Sequence, residues 1–412
     1  MNASRNAHPA WKQAGRWLIT LGAAAALAAC GGGDDSNTAT ADGSLRLAMT
    51  DAPSCGYDHV YVTVNKLRVN QSAVAGDSDA GWTELTLSPA RKVDLLSLTN
   101  GVLEELGTMP LRAGHYSQIR LVLADNSVSD TMAASVQPTG GVLTALSTPS
   151  AQQSGLKLKA NIDISAGQLA DLVLDFDACK SIVKAGNSGQ YLLKPVITVF
   201  PRLTTAIQGW VSTALAAGST TVSAQQAGVT VRATAPDANG RFTIPYLPVG
   251  TYSVVVASEG RSTAVVTSVP VTTATGTTTV NGTATAIVPP LSAMADVTGA
   301  LTLASVSGTT TVSAALTDGS ARALQALTGG PTVQLGAQSV DAVLGTYRFH
   351  LPVAAPVKAP YVSAATALSF AADAPVAGKF SIELASTARV TQTKAADISG
   401  GLGAIVNFNY GP

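Results

Sequence analysis

Apolar and polar residues alternate along most of the chain in short runs. HVYVTVNKLRV (59–69), YSQIRLVL (116–123), ADLVLDFDA (170–178), YLLKPVITVF (191–200), VTVRAT (229–234), TYSVVVAS (251–258), TYRFHLPV (346–353) and FSIELAST (380–387) are alternating or β-branched, and Gly, Pro, Asn or Asp punctuates them. A period of two puts successive side chains on opposite faces of a strand, so these runs predict half-buried strands. The best helical spacing is in DLLSLTNGVLEEL at 94–106, which Gly101 weakens. The pattern therefore predicts an all-β chain of tandem antiparallel β-sandwich modules.

One phrase recurs three times: LRAGHYSQIRLVL (111–123), LPVGTYSVVVAS (247–258) and AVLGTYRFHLPV (342–353). Each has a glycine two residues before a tyrosine, at the start of a strand. Glycine supplies a left-handed turn, while the tyrosine ring packs and its hydroxyl reaches the edge. Three copies predict three modules. Prolines around 201–206 and 289–295 mark the breaks, giving expected domains at 43–202, 207–289 and 295–412.

The amino-terminal end changes the picture. Arg5, Lys12 and Arg16 precede an apolar stretch at 17–27, which is about one signal-peptide core long and short of the roughly 20 residues of a membrane span. Leu27-Ala28-Ala29-Cys30 resembles the lipobox of bacterial lipoproteins. It implies a signal peptide at 1–29 and a lipid on the Cys30 thiol. An ordinary secretory signal, cut after Ala26-Leu27-Ala28 and leaving Cys30 free, is the alternative. Acyl chains contribute about 0.8 kcal/mol per buried methylene, so several chains on one cysteine anchor stably. Residues 30–42 carry no apolar side chain larger than alanine and read as a tether spanning roughly 20 Å. Lipoprotein sorting retains proteins with aspartate after the cysteine at the inner membrane. Gly31 stands there, which implies the outer membrane of a bacterial cell envelope.

Charged residues are only 12% of the chain, and losing the signal leaves 22 Lys and Arg against 25 acids, a net −3. The chain has no basic patch, arginine-rich run or basic helix, which argues against nucleic acid as a partner.

Residues 43–200 resemble the lipoprotein domain of unknown function numbered 4382. The resemblance rests on GSLRLAMTDAPS, YDHVYVTVNKLRV, GWTELT, VDLLSLTNG, LRAGHYSQIRLVL, LSTPSAQQSGLKL, LVLDFDACKSIV and YLLKPVI, in that order. It implies no activity. APDANGRFTIPYLPVGTYSVVVAS, within 207–288, resembles carboxypeptidase regulatory-like, transthyretin-like modules, which implies a non-catalytic sandwich.

Chemical motifs are sparse. His59, His115 and His350 lie in separate strand-like regions, and the five glutamates are Glu84, Glu104, Glu105, Glu259 and Glu383. Neither H-E-x-x-H, paired C-x-x-C nor G-x-S-x-G occurs. No cofactor is expected, and the chain is read as a non-enzyme. Strand alternation in LVLDFDACKSI puts Asp175, Asp177 and Cys179 on one face. With Asp51 or Asp58 the acids could begin a calcium site, though calcium-loop spacing is missing; Lys180, Lys184, Arg120 or backbone N–H groups would otherwise satisfy them. Cys55 and Cys179 form an even pair that outside the cytoplasm predicts a disulfide, against two buried thiols. The bond would close a loop of over a hundred residues, which stabilises by about 4–5 kcal/mol in chain-entropy models.

The resulting expectation is an envelope lipoprotein that binds or spaces, with a glycan or an envelope protein as possible ligand. A calcium-dependent adhesin or glycan-binding module is the alternative. An envelope hydrolase is a further one, which a deep cleft at Asp175 and Asp177 would favour. The anchor is directly testable: Cys30→Ser should yield an unprocessed or released protein on fractionation. A processed variant still requiring detergent would exclude lipid at Cys30.

Overall fold

A computed structural model describes residues 42–51, 56–148, 155–216, 220–273, 276–307, 310–363, 367–386 and 389–411. The signal segment, Cys30, the tether up to residue 41 and Cys55 lie outside the described residues. Almost every element is a strand. Three large hydrophobic cores follow one another along the chain, and a small fourth cluster of Val255, Val265, Leu327 and Val333 joins the second segment to the third.

The first core lies between two sheets. One has the order Ile197–Pro201, Leu169–Phe176, Asp42–Asp51, Glu104–Arg112; the other is eight-stranded and centred on Tyr57–Asn70. Asp42–Asp51 pairs in parallel with Leu169–Phe176, so distant segments share the middle of the smaller sheet. Tyr57–Asn70 shows how pattern becomes register. Val60, Val62 and Val64 are buried at even positions, then Leu67 and Val69 at odd ones. The phase flips where the pairing shifts between Val64 and Lys66, a bulge that keeps both halves facing the core.

The second core is sandwiched by a three-stranded sheet and a six-stranded sheet that begins at the edge strand Val229–Thr234. The third uses Met294–Ser307 with its partners on one side and the order Thr332–Ser339, Ser320–Ala326, Lys379–Ala385, Gln392–Asp397 on the other. The third segment does not keep to its own core. Val357–Pro360 leaves it and pairs in parallel with Ala264–Val271, while Val357, Tyr361, Leu368 and Phe370 pack into the second core.

The recurring tyrosines tie strands to backbone. Tyr116 and Tyr252 donate to the carbonyls of Arg112 (3.2 Å) and Pro248 (2.7 Å), each four residues upstream, as tyrosine corners of β-sandwiches do. Tyr347 instead crosses to the carbonyl of Val406. That crossing requires Gly299, since a Cβ there would sit 1.9 Å from the Val406 oxygen and 2.7 Å from the Tyr347 hydroxyl.

Three local readings are corrected. Segment 94–106 is not an α-helix. Asp94 caps one 3-10 turn at Leu95–Ser97, and Asn100 (φ 57°) and Gly101 (φ 82°) then turn left-handed before the strand Glu104–Arg112. The inverted turn delivers Asn100 to the second core: its N–H donates to Thr234 Oγ1 (2.8 Å) and its Oδ1 accepts from the Thr243 N–H (3.0 Å). YLLKPVITVF splits at Lys194-Pro195 into Tyr191–Leu193 and Ile197–Pro201, which belong to different sheets. Strand alternation also stops at Phe176, because Asp177 accepts from the Lys180 N–H (3.0 Å) and caps a helical turn, Ala178–Ser181. Asp177 and Cys179 are therefore not strand partners of Asp175.

Candidate functional site

Each core leaves a sheet edge facing the same point. Ile197–Pro201, Val229–Thr234 and Thr332–Ser339 are all edge strands, and residues from all three line one cleft of about 560 Å³. Asp177, Lys180, Glu259, Arg261 and His350 contribute to its wall.

Asp175 is the chemically unusual group. It stands one residue before the end of its strand, between Thr50 on one neighbouring strand and Thr198 on the other. Phe176, the next residue, points into the first core. The Asp175 carboxylate is 15% exposed, and its nearest cation, the Arg232 guanidinium, is 3.9 Å away. Burial pushes its pKa up to about 6; Arg232 and Lys180 oppose the rise and the Asp177 charge adds to it.

Arg232 comes from the edge strand of the second core. Its guanidinium carbon lies 3.4 Å from the centre of the Phe200 ring, and Nη1 donates to the Val231 carbonyl (2.6 Å). Nε is wholly buried without an acceptor among the described residues. Burial lowers its pKa, with Asp175 acting in the opposite direction. An arginine rooted in the second core and stacked on Phe200 beside the first can hold two surfaces together. It still leaves the acid incompletely paired.

The other acids singled out by sequence are dispersed or engaged. Asp51 Oδ1 accepts from the Ala178 N–H (3.0 Å), and Asp58 Oδ2 accepts from the Gly140 N–H (3.2 Å). Asp177 is held by the Lys180 ammonium as well as its N–H. Lys180 and a backbone N–H thus serve Asp177, whereas Arg232, not among the expected partners, serves Asp175. Arg120 is elsewhere, buried under the Trp82 ring with Asp77. Among the described residues no group of three or more His, Cys, Asp or Glu is placed to hold a metal ion.

The histidines are not brought together. His59 pairs with Asp94 (2.7 Å) and His115 with Asp163 (2.8 Å), both away from the cleft. His350 lines the cleft between Asp296 (2.8 Å) and Glu259 (3.2 Å). Cys179 lies in the helical turn and also lines the cleft, as does Gly56.

Residues 42–195 match the family described as Domain of unknown function (DUF4382). Asp175 and the helical turn with Asp177 and Cys179 thus lie inside the DUF4382 region, while Arg232 lies outside it. No curated protein matches the chain. Among solved structures the major pilin SpaA of Corynebacterium diphtheriae is similar at 10% identity over 90% of this chain and 100% of that one. Its TM-score of 0.16 carries no argument. Among the described residues no helix is long and apolar enough to cross a membrane.

The raised acid has a signed consequence. Its folded pKa lies above the unfolded value, so the fold binds the proton more tightly. This group's contribution is most favourable at low pH, and stability is lost as pH rises from about 4 through about 6. A shift of two units corresponds to about 3 kcal/mol. Asp175→Asn removes the charge, so its melting temperature relative to wild type should climb by a few degrees between about pH 4 and pH 7. Parallel pH profiles would show that the carboxyl is not held in this state.

Proposed function

We propose that the protein is a lipid-anchored, non-catalytic protein of the bacterial cell envelope, held at the outer membrane through Cys30. In this reading it binds its ligand in the cleft where the three cores meet. One observation carries the binding role: an incompletely paired, largely buried carboxylate opens into a cleft to which all three cores contribute. Clefts of this size, with a few convergent polar groups and a perturbed acid, are the usual form of small-ligand sites. Absence of turnover is favoured by the state of the neighbouring acids. Asp177 is neutralised by Lys180 and Glu259 is held by His350, so among the described residues that line the cleft Asp175 has no second uncommitted carboxylate to act with.

In this reading 43–202 is the lipoprotein domain, 207–289 a carboxypeptidase regulatory-like sandwich, and 295–412 a third domain that lends a strand to the second. The two facing sheets and the Tyr252 corner support the middle assignment. A Cys55–Cys179 disulfide belongs to this reading. Asp51 Oδ1 bonds the Ala178 N–H, and Gly56 and Cys179 line the same cleft, so the chain on both sides of the two cysteines converges.

An envelope hydrolase is the second reading, favoured by a carboxyl whose pKa near 6 suits a general acid.

Two measurements test these statements. Peptide mapping of envelope-purified protein without reductant should recover Cys55 and Cys179 in one crosslinked pair; two freely alkylated thiols would refute the bond. For the cleft, Thr230→Trp puts a bulky ring on the lining edge strand. Immobilised mature protein should retain a compound from envelope extract that this variant does not. Equal retention would place binding elsewhere. Release of a chemically altered compound by wild type, lost in Asp175→Asn, would establish the hydrolase instead.

A further inference from the structure

The chemistry of the cleft narrows the ligand, on the reading that the cleft is the binding site. Charge comes first. The lining carries Asp175, Asp177 and Glu259 against Lys180, Arg232 and Arg261, so the formal charges cancel. A strongly anionic or cationic ligand would meet no net counter-charge there. Metal ions are disfavoured by Lys180 and Arg232 beside the acids.

An extended peptide adding to two of the three sheet edges is disfavoured by how those edges are closed. Arg232 Nη1 covers the carbonyl of Val231 on one edge strand. On another, the Gln225 side chain donates to the Gln334 carbonyl and accepts from its N–H, both at 2.7 Å. Those backbone groups, which an added strand would need, are already engaged.

What remains is a set of side chains that read uncharged polar groups. Asp175 is an acceptor to which no described residue donates a hydrogen bond. The Arg232 guanidinium, at 3.9 Å, spends only Nη1 on the protein. The hydroxyls of Thr198, Thr221 and Thr230 line the same cleft without hydrogen-bond partners among the described residues. Val231, Leu335 and Leu351 supply apolar wall. A hydroxyl group donates and accepts at once, and neighbouring ring hydroxyls of a sugar present both roles side by side. An acid and a guanidinium set close together suit that arrangement, with charge-assisted hydrogen bonds on both.

We propose that the cleft binds an uncharged saccharide, with Asp175 accepting from one hydroxyl, Arg232 donating to its neighbour, and the threonines completing the contacts. At neutral pH the acid is mostly ionised, the form that can only accept.

The test is calorimetric titration of the full mature chain in detergent with three probe panels: uncharged oligosaccharides, acidic oligosaccharides, and peptides of similar size. At least one uncharged oligosaccharide should bind. Asp175→Asn and Arg232→Gln should each weaken it at least tenfold, and Thr230→Trp should abolish it. Melting curves identify variants that fold as wild type does. Should Arg232→Gln fail to fold, Arg232→Lys, which keeps the charge but loses the planar fork, should still weaken binding several-fold. Unchanged affinity in both Asp175→Asn and the folded Arg232 variant would overturn the assignment. So would preference for peptides or acidic sugars with Thr230→Trp-sensitive binding, which would leave the cleft itself standing as a binding site. If neither these probes nor envelope extract yields binding sensitive to Thr230→Trp, the cleft reading fails together with this one.

Discussion

The arrangement depends on closing open sheet edges. Unpaired backbone N–H and C=O groups along an edge strand are templates for unwanted pairing, and a protein built of sandwiches has many of them. Here three edges are turned inward to one place instead of out to solvent. Gln225 reaches from the second core and mimics a strand for Gln334 in the third. Ser339 Oγ donates to the Lys180 carbonyl (3.0 Å), and Asp341 Oδ2 accepts from the Gly186 N–H (3.1 Å), joining the third core to the first. Asn100 and its left-handed turn join the first to the second. These side chains act at the junctions beside the strand pairing of Val357–Pro360 with Ala264–Val271 and the apolar cluster of Val255, Val265, Leu327 and Val333. The cleft lies where these junctions meet.

Strands were legible in the sequence because burial on one face imposes a period of two, and the chain obeys it wherever a sheet covers a core. VTVRAT coincides with Val229–Thr234, and TYRFHLPV with Thr346–Pro352 to within a residue. Even the bulge in Tyr57–Asn70 is written as a three-residue step between Val64 and Leu67. Failures came where a local hydrogen bond beat periodicity. Leucines at helical spacing in 94–106 are buried from two separate elements, because Asn100 and Gly101 reverse the chain between them. Alternation carried past Phe176 in the sequence reading, whereas the Asp177 side chain caps a helical turn and rotates Cys179 off the strand.

The site was half legible for a related reason. Asp175 stood out because a charged residue interrupts an apolar strand. Its partner did not, since Arg232 in VTVRAT looks like an ordinary solvent-facing residue of an alternating strand, and only the docking of one core on another turns that face inward. Likewise Val357–Pro360 reads as a strand of the third segment, and nothing local says that it will pair with Ala264–Val271. Pairing between distant segments is a property of surfaces assembled from both, so no short window contains it.

Arginine at position 232 meets demands that no other cation satisfies. A lysine could offset the Asp175 charge, but its compact ammonium is strongly hydrated and would lose more on burial. The guanidinium spreads its charge over a plane that lies on Phe200 at 3.4 Å, while one nitrogen closes the Val231 carbonyl. Yet 3.9 Å to Asp175 is too long for the paired, doubly hydrogen-bonded geometry that would neutralise a carboxylate. Burial therefore dominates, and the acid stays hard to ionise. The arginine serves docking first and the acid second. The unmet demand that this ordering leaves on Asp175 is what gives the cleft a polar group with which to select a ligand.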